Sequence, residues 1–301
     1  MNEALRVALQ GIRGAVRAQV PLQPLSHVRI GGPAEWFVEP HAETDLAQVV
    51  RVCRELDVPL RVLGGGSNLL IGDAGVPGVV VKLDAMNRVV RDGDRLTAGA
   101  GVTVPSLLRM ARDQGLAGLE VLTGVPAQVG GAVAMNAGTR EGEAFDSLVS
   151  LTLVDPEGEI RVLGRDRFHP RYRDGGLDGA ICVHATFELH EDDPKAIYAR
   201  FEQYLKYRNA TQPVAERSVG CVFRNPTGDS AGRLIERAGC KLLRRGGISV
   251  SGKHANYFVN DQDGSCADFV ALVDAVRTRV QQEFGVELEL EVKLWNVPAL
   301  A

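Results

Sequence analysis

The chain has 301 residues, 45% hydrophobic, 24% charged and 5% aromatic, with 34 Lys plus Arg against 38 Asp plus Glu for a formal charge of −4. That length exceeds one small core and suggests two or three domains, while the near-even charge argues against a polybasic surface for nucleic acid or membrane. Glycine is the outlier at 34 residues, and it clusters between apolar runs rather than among Ser and Pro, which argues against disorder and marks places where backbone must approach something closely.

The N-terminal stretch MNEALRVALQGIRGAV reads as an amphipathic helix, too interrupted by charge for a signal segment. No apolar run approaches the roughly 18 residues of a membrane span. Cys53, Cys182, Cys221, Cys240 and Cys266 are odd in number, dispersed and without C-x-x-C spacing, so neither a disulfide framework nor a metal site is expected. A cytoplasmic protein follows.

Apolar residues Leu46, Val49, Val50, Cys53 and Leu56 share one helical face and predict a helix over 43–57. Leu60–Leu63 and GVVVKL (78–83) read as strands. Thr103 and Pro105 open a helix that runs through Gln114 and stops at Gly115. Residues 148–163 form a hairpin around Pro156-Glu157-Gly158, and 181–189 is a further strand. The charged HEDDPK stretch at 190–195 marks a boundary. Beyond it come helices at 195–208, 231–238 and 265–284, and a strand at 255–260. Strict alternation over 286–295 predicts a half-buried strand, with Glu287, Glu289, Glu291 and Lys293 on its solvated face. Strands and helices alternate irregularly, which is an α+β pattern.

Two glycine clusters carry chemistry. GGGSN (64–68) follows a strand directly. Gly64, Gly65 and Gly66 let successive N–H groups converge on an anion, and Ser67 and Asn68 add side-chain donors, which suits a pyrophosphate. The segment 121–137 is almost free of charge and is punctuated by Gly124, Gly130 and Gly131, with Gly138 just beyond it. So much backbone needs partners, and a flat, uncharged, hydrogen-bonding ligand such as a flavin ring system would supply them; a buried packing loop is the alternative.

The segments RIGGPAEWF (29–37), LGGGSNLLI (63–71), GVPAQVGGAVAMNAG (124–138), CVFRNP (221–226), AGRLIERAGCK (231–241), KHANYFVN (253–260) and LELEVK (288–293) occur in that order. Together they resemble the UDP-N-acetylenolpyruvoylglucosamine reductase family, flavoenzymes of peptidoglycan precursor synthesis. Only Thr227–Ser230 separate FRNP from AGRLIE, which resembles the shorter class lacking an insertion there. The resemblance implies a vanillyl-alcohol-oxidase-like (PCMH-type) FAD-binding fold of two subdomains, 1–77 and 78–193, plus a C-terminal α+β substrate domain at 194–301. It also implies bound FAD, NADPH as co-substrate, a UDP-sugar substrate and a monomer. In that family hydride passes from reduced FAD to C3 of an enolpyruvyl ether, and a protein acid protonates C2. Two alternatives stay open: another FAD-dependent oxidoreductase of this cofactor fold, or a flavin-binding protein without turnover.

By the same resemblance Cys221 stands where the family usually has serine and would be the proton donor; a thiol is the better acid. Arg173, in Arg171-Tyr172-Arg173-Asp174, would stabilise the enolate-like carboxylate, although Gly175 replaces the family's serine and Arg171 competes for the role. The E-V-K tripeptide selects Glu291 as the third catalytic residue. FAD would lie on Gly64, Gly65, Gly66, Ser67, Asn68 and Leu69, on Gly124, Val125, Pro126, Gly130, Gly131, Ala132 and Asn136, and near Arg208. The sugar nucleotide would meet Tyr172, Arg224, Asn225, Lys253, His254, Asn256 and Lys293.

Overall fold

The structure, a computed structural model, describes residues 3–139 and 141–298. Contacts divide the chain into two units. The first holds residues up to Ala18, Glu35–Gly65 and Gly78–Tyr207; the second holds Gln19–Ala34, Gly66–Pro77 and Arg208 onward.

One sheet associated with the first unit orders its strands Gly14–Pro21, Pro33–Pro40, Val76–Lys82 and Leu60–Leu63, with the last two parallel. Helix Glu43–Glu55 buries Leu46, Val49, Val50 and Cys53, the face its spacing predicts, in a core shared with Trp36, Val38, Val79 and Val81. A second, antiparallel sheet runs Ile160–Gly164, Leu148–Val154, Ile181–Glu188, Arg95–Gly99 and Val89–Asp92. Its core includes Leu107, Leu108 and Ala111 of helix Val104–Asp113. Thr103 caps that helix by accepting the Ser106 N–H, and Gly115 leaves it at a φ of +68°.

The N-terminal helix is shorter than the amphipathic pattern suggests: Glu3–Leu9 is helical, and Gly14–Pro21 is a strand. A glycine inside a helix costs about 1 kcal/mol relative to alanine. Gly14 in addition lies so close to Glu39 that a Cβ would come within 2.1 Å of its carbonyl oxygen.

The second unit centres on an antiparallel sheet ordered Ser218–Cys221, Tyr257–Asn260, Ile248–Val250 and Arg244–Arg245. Helix Cys266–Phe284 packs Phe269, Leu272, Val273, Val276 and Val280 into the same core as Phe223 and Phe258. Ser265 and Asp268 close a capping box at its start, and Gly285 ends it in the left-handed region.

Two sequence expectations fail here. The alternating segment 286–295 is not one strand. Leu290 forms an isolated bridge with Phe223, the Glu291 and Val292 N–H groups both donate to the Val222 carbonyl, and only Lys293–Trp295 is a strand, parallel to Leu69–Ile71. Because the segment changes partner at this point, side-chain parity breaks. Glu291 and Val292 are buried in succession, while Glu287 and Glu289 stay exposed. The second failure is Cys221, which the flanking Gly220 and Asn225-Pro226 suggest is in a loop. It instead closes the edge strand Ser218–Cys221, irregular in register, with Gly220 at a φ of +77°.

Candidate active site

In the first unit the two glycine clusters meet. A Cβ on Gly65 would lie 3.2 Å from the Pro126 carbonyl oxygen, and one on Gly64 would lie 3.8 Å from Cα of Gly131. Lys82 Nζ donates to the Gly64 carbonyl at 3.3 Å and pairs with Asp84 at 2.9 Å; Asp84 in turn accepts from Gln128 Nε2 at 2.6 Å. Three backbone bonds pin the second cluster to its sheet: Val104 N–H to Ala127 O, Val129 N–H to Val102 O, and Gly130 N–H to Ala100 O.

The paired glycines 130 and 131 have different causes. A side chain at Gly130 would press on Cβ of Ala100 at 2.9 Å, so packing demands glycine there. At Gly131 nothing of the protein lies within 4 Å of a Cβ. Thr123 Oγ1 is buried and makes no hydrogen bond among the described residues. An open glycine backbone and an orphaned hydroxyl on the same segment fit a polar, planar group such as the FAD ring system. Gly64, Gly65, Gly124, Val125, Pro126, Gly131 and Ala132 all lie on the two segments that meet here. Asn136 serves differently. Fully buried, its Nδ2 donates to Glu143 at 2.5 Å and to the Arg171 carbonyl at 3.3 Å, and its Oδ1 accepts the Phe145 N–H at 3.3 Å.

That Asn136–Arg171 bond docks the arginine turn on the second cluster. Arg171 and Asp174 exchange backbone hydrogen bonds at 2.7 and 3.0 Å, and the Gly175 N–H reaches the Ala134 carbonyl at 3.0 Å. A Cβ on Gly175 would lie 2.2 Å from the Val133 carbonyl oxygen, which accounts for glycine in place of serine. Arg173 takes a φ of +57°, lies over the Tyr172 ring at 4.8 Å and donates to the Gly138 carbonyl at 3.2 Å. Arg171 is exposed and Arg173 half-buried.

The second unit gathers Cys221, Glu291, Tyr257 and Arg208. Cys221 and Tyr257 are directly opposed on antiparallel strands, with the thiol within reach of the phenol hydroxyl. Burial, more than any charge, pushes the Tyr257 hydroxyl above the ordinary phenol range; Cys221 and Glu291 act in the same direction and Arg208 against it. Glu291 is 8% exposed, and Arg208 Nε is buried without a hydrogen-bond partner among the described residues. The first glycine loop runs past this centre. A Cβ on Gly220 would lie 3.7 Å from the Ser67 carbonyl oxygen, and Asn68 Nδ2 donates to the Glu291 carbonyl at 3.3 Å. Gly66 accepts the His27 N–H at 3.1 Å, and Leu69 starts the strand paired with Lys293.

The residues expected on the sugar nucleotide divide. Asn256 is 2% exposed and clamps Phe223 at both its N–H (2.9 Å) and its carbonyl (2.8 Å), so its amide is spent on the fold. Asn225 Oδ1 accepts the Ala231 N–H at 3.0 Å, at the first turn of helix Ala231–Arg237. Lys253 reaches the Asn209 carbonyl with its ammonium. His254 is half-buried, its ring 4.9 Å from that of Tyr257, and desolvation holds its pKa below the usual imidazole value. Arg224 is half-buried, and Lys293 and Tyr172 are exposed. Sequence reasoning missed Thr123, Gln128, Lys82 and Tyr257; a lone polar residue inside an apolar strand, as Tyr257 is in YFV, was the one readable signal.

A glycine-lined cradle on an α+β sheet pair in one unit and, in the other, a partly exposed thiol near a buried carboxylate are features of a flavin-dependent oxidoreductase. Comparisons with known proteins agree. Residues 34–164 match the FAD binding domain, and 212–295 match the UDP-N-acetylenolpyruvoylglucosamine reductase C-terminal domain. The UDP-N-acetylenolpyruvoylglucosamine reductase of Moorella thermoacetica is 40% identical over 95% of each chain. The crystal structure of the Thermus caldophilus reductase superposes with a TM-score of 0.81 at 35% identity, covering 94% of this chain and 99% of that one. A berberine bridge enzyme variant shares the fold alone, with a TM-score of 0.53 at 20% identity over 63% of this chain and 44% of that one. The chain belongs to the UDP-N-acetylenolpyruvoylglucosamine reductase family, in its shorter form. It is an FAD-dependent oxidoreductase of peptidoglycan precursor synthesis that draws on NADPH, which sets aside the other oxidoreductases and the non-catalytic flavin binder.

Proposed function

We propose that Cys221 is the acid that protonates C2 of the enolpyruvyl ether of UDP-N-acetylenolpyruvoylglucosamine, yielding UDP-N-acetylmuramate. One observation carries this reading. Cys221 is the cysteine that is not buried, whereas Cys53, Cys182, Cys240 and Cys266 all are, and it shares its surroundings with Glu291 and Tyr257. The glycine segments 64–69 and 124–132 would hold FAD, whose chemistry when bound and reduced by NADPH would be hydride donation. Arg173, fixed by Gly138 and by the docked turn, offers a guanidinium to the substrate carboxylate as its charge grows. Glu291, buried and anchored through its backbone at Val222, orients the reacting end and passes protons near the thiol.

In this reading Arg208 lies near the cofactor, Arg224, Lys253, His254 and Lys293 bring cations or donors to the diphosphate and sugar, and Tyr172 and Asn225 line the approach. Asn256 and Asn136 act by holding Phe223 and the Arg171 turn in place. Gly66, Ser67, Asn68 and Leu69 continue the cofactor-binding loop begun by Gly64 and Gly65. The functional division is 1–77 and 78–193 for the cofactor and 194–301 for the substrate, in a cytoplasmic monomer. The test follows the two half-reactions separately by flavin absorbance. Cys221→Ala is expected to be reduced by NADPH at the wild-type rate and to be reoxidised slowly by the enolpyruvyl sugar nucleotide. Reoxidation at the wild-type rate would sink the assignment.

A further inference from the structure

We propose that Tyr257 is a positioning residue for the Cys221 thiol, an inference that rests on Cys221 as the proton donor. Strand Tyr257–Asn260 is buried at every position, so a phenol hydroxyl within it must find partners. It has two. The antiparallel register places Tyr257 directly opposite Cys221, which brings the thiol within reach of the phenol hydroxyl. The hydroxyl also donates to Oε1 of Gln212 at 3.0 Å. His254 packs its ring edge against the phenol with centroids 4.9 Å apart, which fixes the ring and leaves Tyr257 8% exposed.

The consequence concerns the thiol after it has acted. When the Sγ–H proton moves to the substrate carbon, the new C–H bond forms and a thiolate remains in a half-buried place. Rotation about the Tyr257 Cζ–Oη bond carries the O–H from Gln212 to Sγ, so the thiolate gains a charge-assisted hydrogen bond while the oxygen keeps its proton. Sulfur is reprotonated from solvent, and the phenol is turned rather than consumed. The charged and titratable groups around the pair are Glu291 from the C-terminal segment, Arg208 from the end of helix Pro194–Thr211, and His254 from the loop before the strand. A hydrogen bond that is strongest to the thiolate favours that form and lowers the pH at which the thiol ionises.

Tyr257→Phe keeps the ring and removes the hydroxyl. The holoenzyme and the variant are alkylated with iodoacetamide between about pH 6 and pH 10, spanning the ordinary thiol range, and modification of Cys221 is read by peptide mass spectrometry. The expected result is a midpoint raised by about one pH unit in Tyr257→Phe, the size of one hydrogen bond to a charged group. Turnover falls about tenfold, while FAD reduction by NADPH is unchanged. Gln212→Leu, which leaves the hydroxyl only the sulfur, is expected to lower the midpoint, and it carries the test if Tyr257→Phe does not fold. Midpoints that coincide with wild type overturn the proposal. Full turnover in Cys221→Ala sinks the donor reading by itself and leaves the alkylation midpoints to decide the Tyr257 pairing.

Discussion

Asn68 and Glu291, 223 positions apart, are joined by a hydrogen bond from the Asn68 amide to the Glu291 carbonyl at 3.3 Å. The Lys293 N–H returns to the Asn68 carbonyl at 3.1 Å, so the two segments grip each other on either side of Val292. A residue of the first glycine loop thus holds the backbone of the buried carboxylate. Asn68→Ala is expected to lower stability by about 1 kcal/mol, the net worth of one such bond. Turnover should fall further than that loss of folded protein explains. Urea unfolding and steady-state assays on the same sample separate the two effects.

Removing the Cys221 thiol is expected to cost about a hundredfold or more in turnover, the range for losing a general acid. Cys221→Ser, which keeps a proton on a group of similar size, should recover part of it. The thiol is also the accessible one. Burial pushes Cys53 and Cys182 up to about 12 and Cys266 up to about 11 and raises Cys240 too. Iodoacetamide near pH 8 should therefore label Cys221 first, as peptide mapping would show. Labelling of Cys53 ahead of Cys221 contradicts it.

The adjacent glycines make a paired prediction. Gly131→Val points its side chain into the open side of the cradle, so the protein should fold with near-native stability and purify colourless. Gly130→Val meets Ala100 and should destabilise the fold by about 1–3 kcal/mol, the usual cost of overpacking. Visible flavin absorbance and thermal unfolding, measured together, distinguish them. A yellow, fully loaded Gly131→Val protein places the cofactor elsewhere.

Asn136→Ala strips three hydrogen bonds from a fully buried site and leaves the Glu143 carboxylate, the Arg171 carbonyl and the Phe145 N–H each short of a partner. At roughly 1–3 kcal/mol for each buried group left unsatisfied, partly relieved by water, a loss of about 2–4 kcal/mol is expected. Because the Arg173 turn is docked by this residue, affinity for the substrate should weaken as well. Denaturation and KM measurements test the two halves.

His254 sets a pH dependence. Its native pKa is depressed by burial, so the folded protein holds the neutral ring while the unfolded chain takes a proton near pH 6.5. The unfolded state then binds more protons, and stability rises with pH. The contribution is complete above about pH 6.5 and is lost as pH falls through the native value. Between about pH 7 and pH 5 the midpoint of urea unfolding should drop for wild type and drop less for His254→Asn. Equal slopes rule out this source.

Much of the fold was legible because local rules governed it. Thr103 with Pro105 and the face Leu46–Val49–Val50–Cys53 each carry their signal within a turn or two of helix. The strand 286–295 was misread because alternation presumes a single partner, and this segment changes from Val222 to Leu69 within a few residues. Glu291 is buried by that change and by nothing in its own neighbourhood of sequence. Tyr257 escaped notice for the same reason: a hydroxyl inside an apolar strand means little until the register names its neighbour.

The 34 glycines divide by role. Sequence by itself determined that backbone comes close to something at 64–66 and 124–138, because only glycine permits that approach, and that Cys221, Arg173 and Glu291 stand in motifs of one family. Tertiary structure alone decided what is approached. Gly130 meets Ala100 and Gly175 meets the Val133 carbonyl, whereas Gly131 faces no protein atom. It also decided that Tyr257 stands opposite Cys221 and that Asn68 holds Glu291, since pairing between distant strands is set by the packing of the whole core and not by the residues on either side.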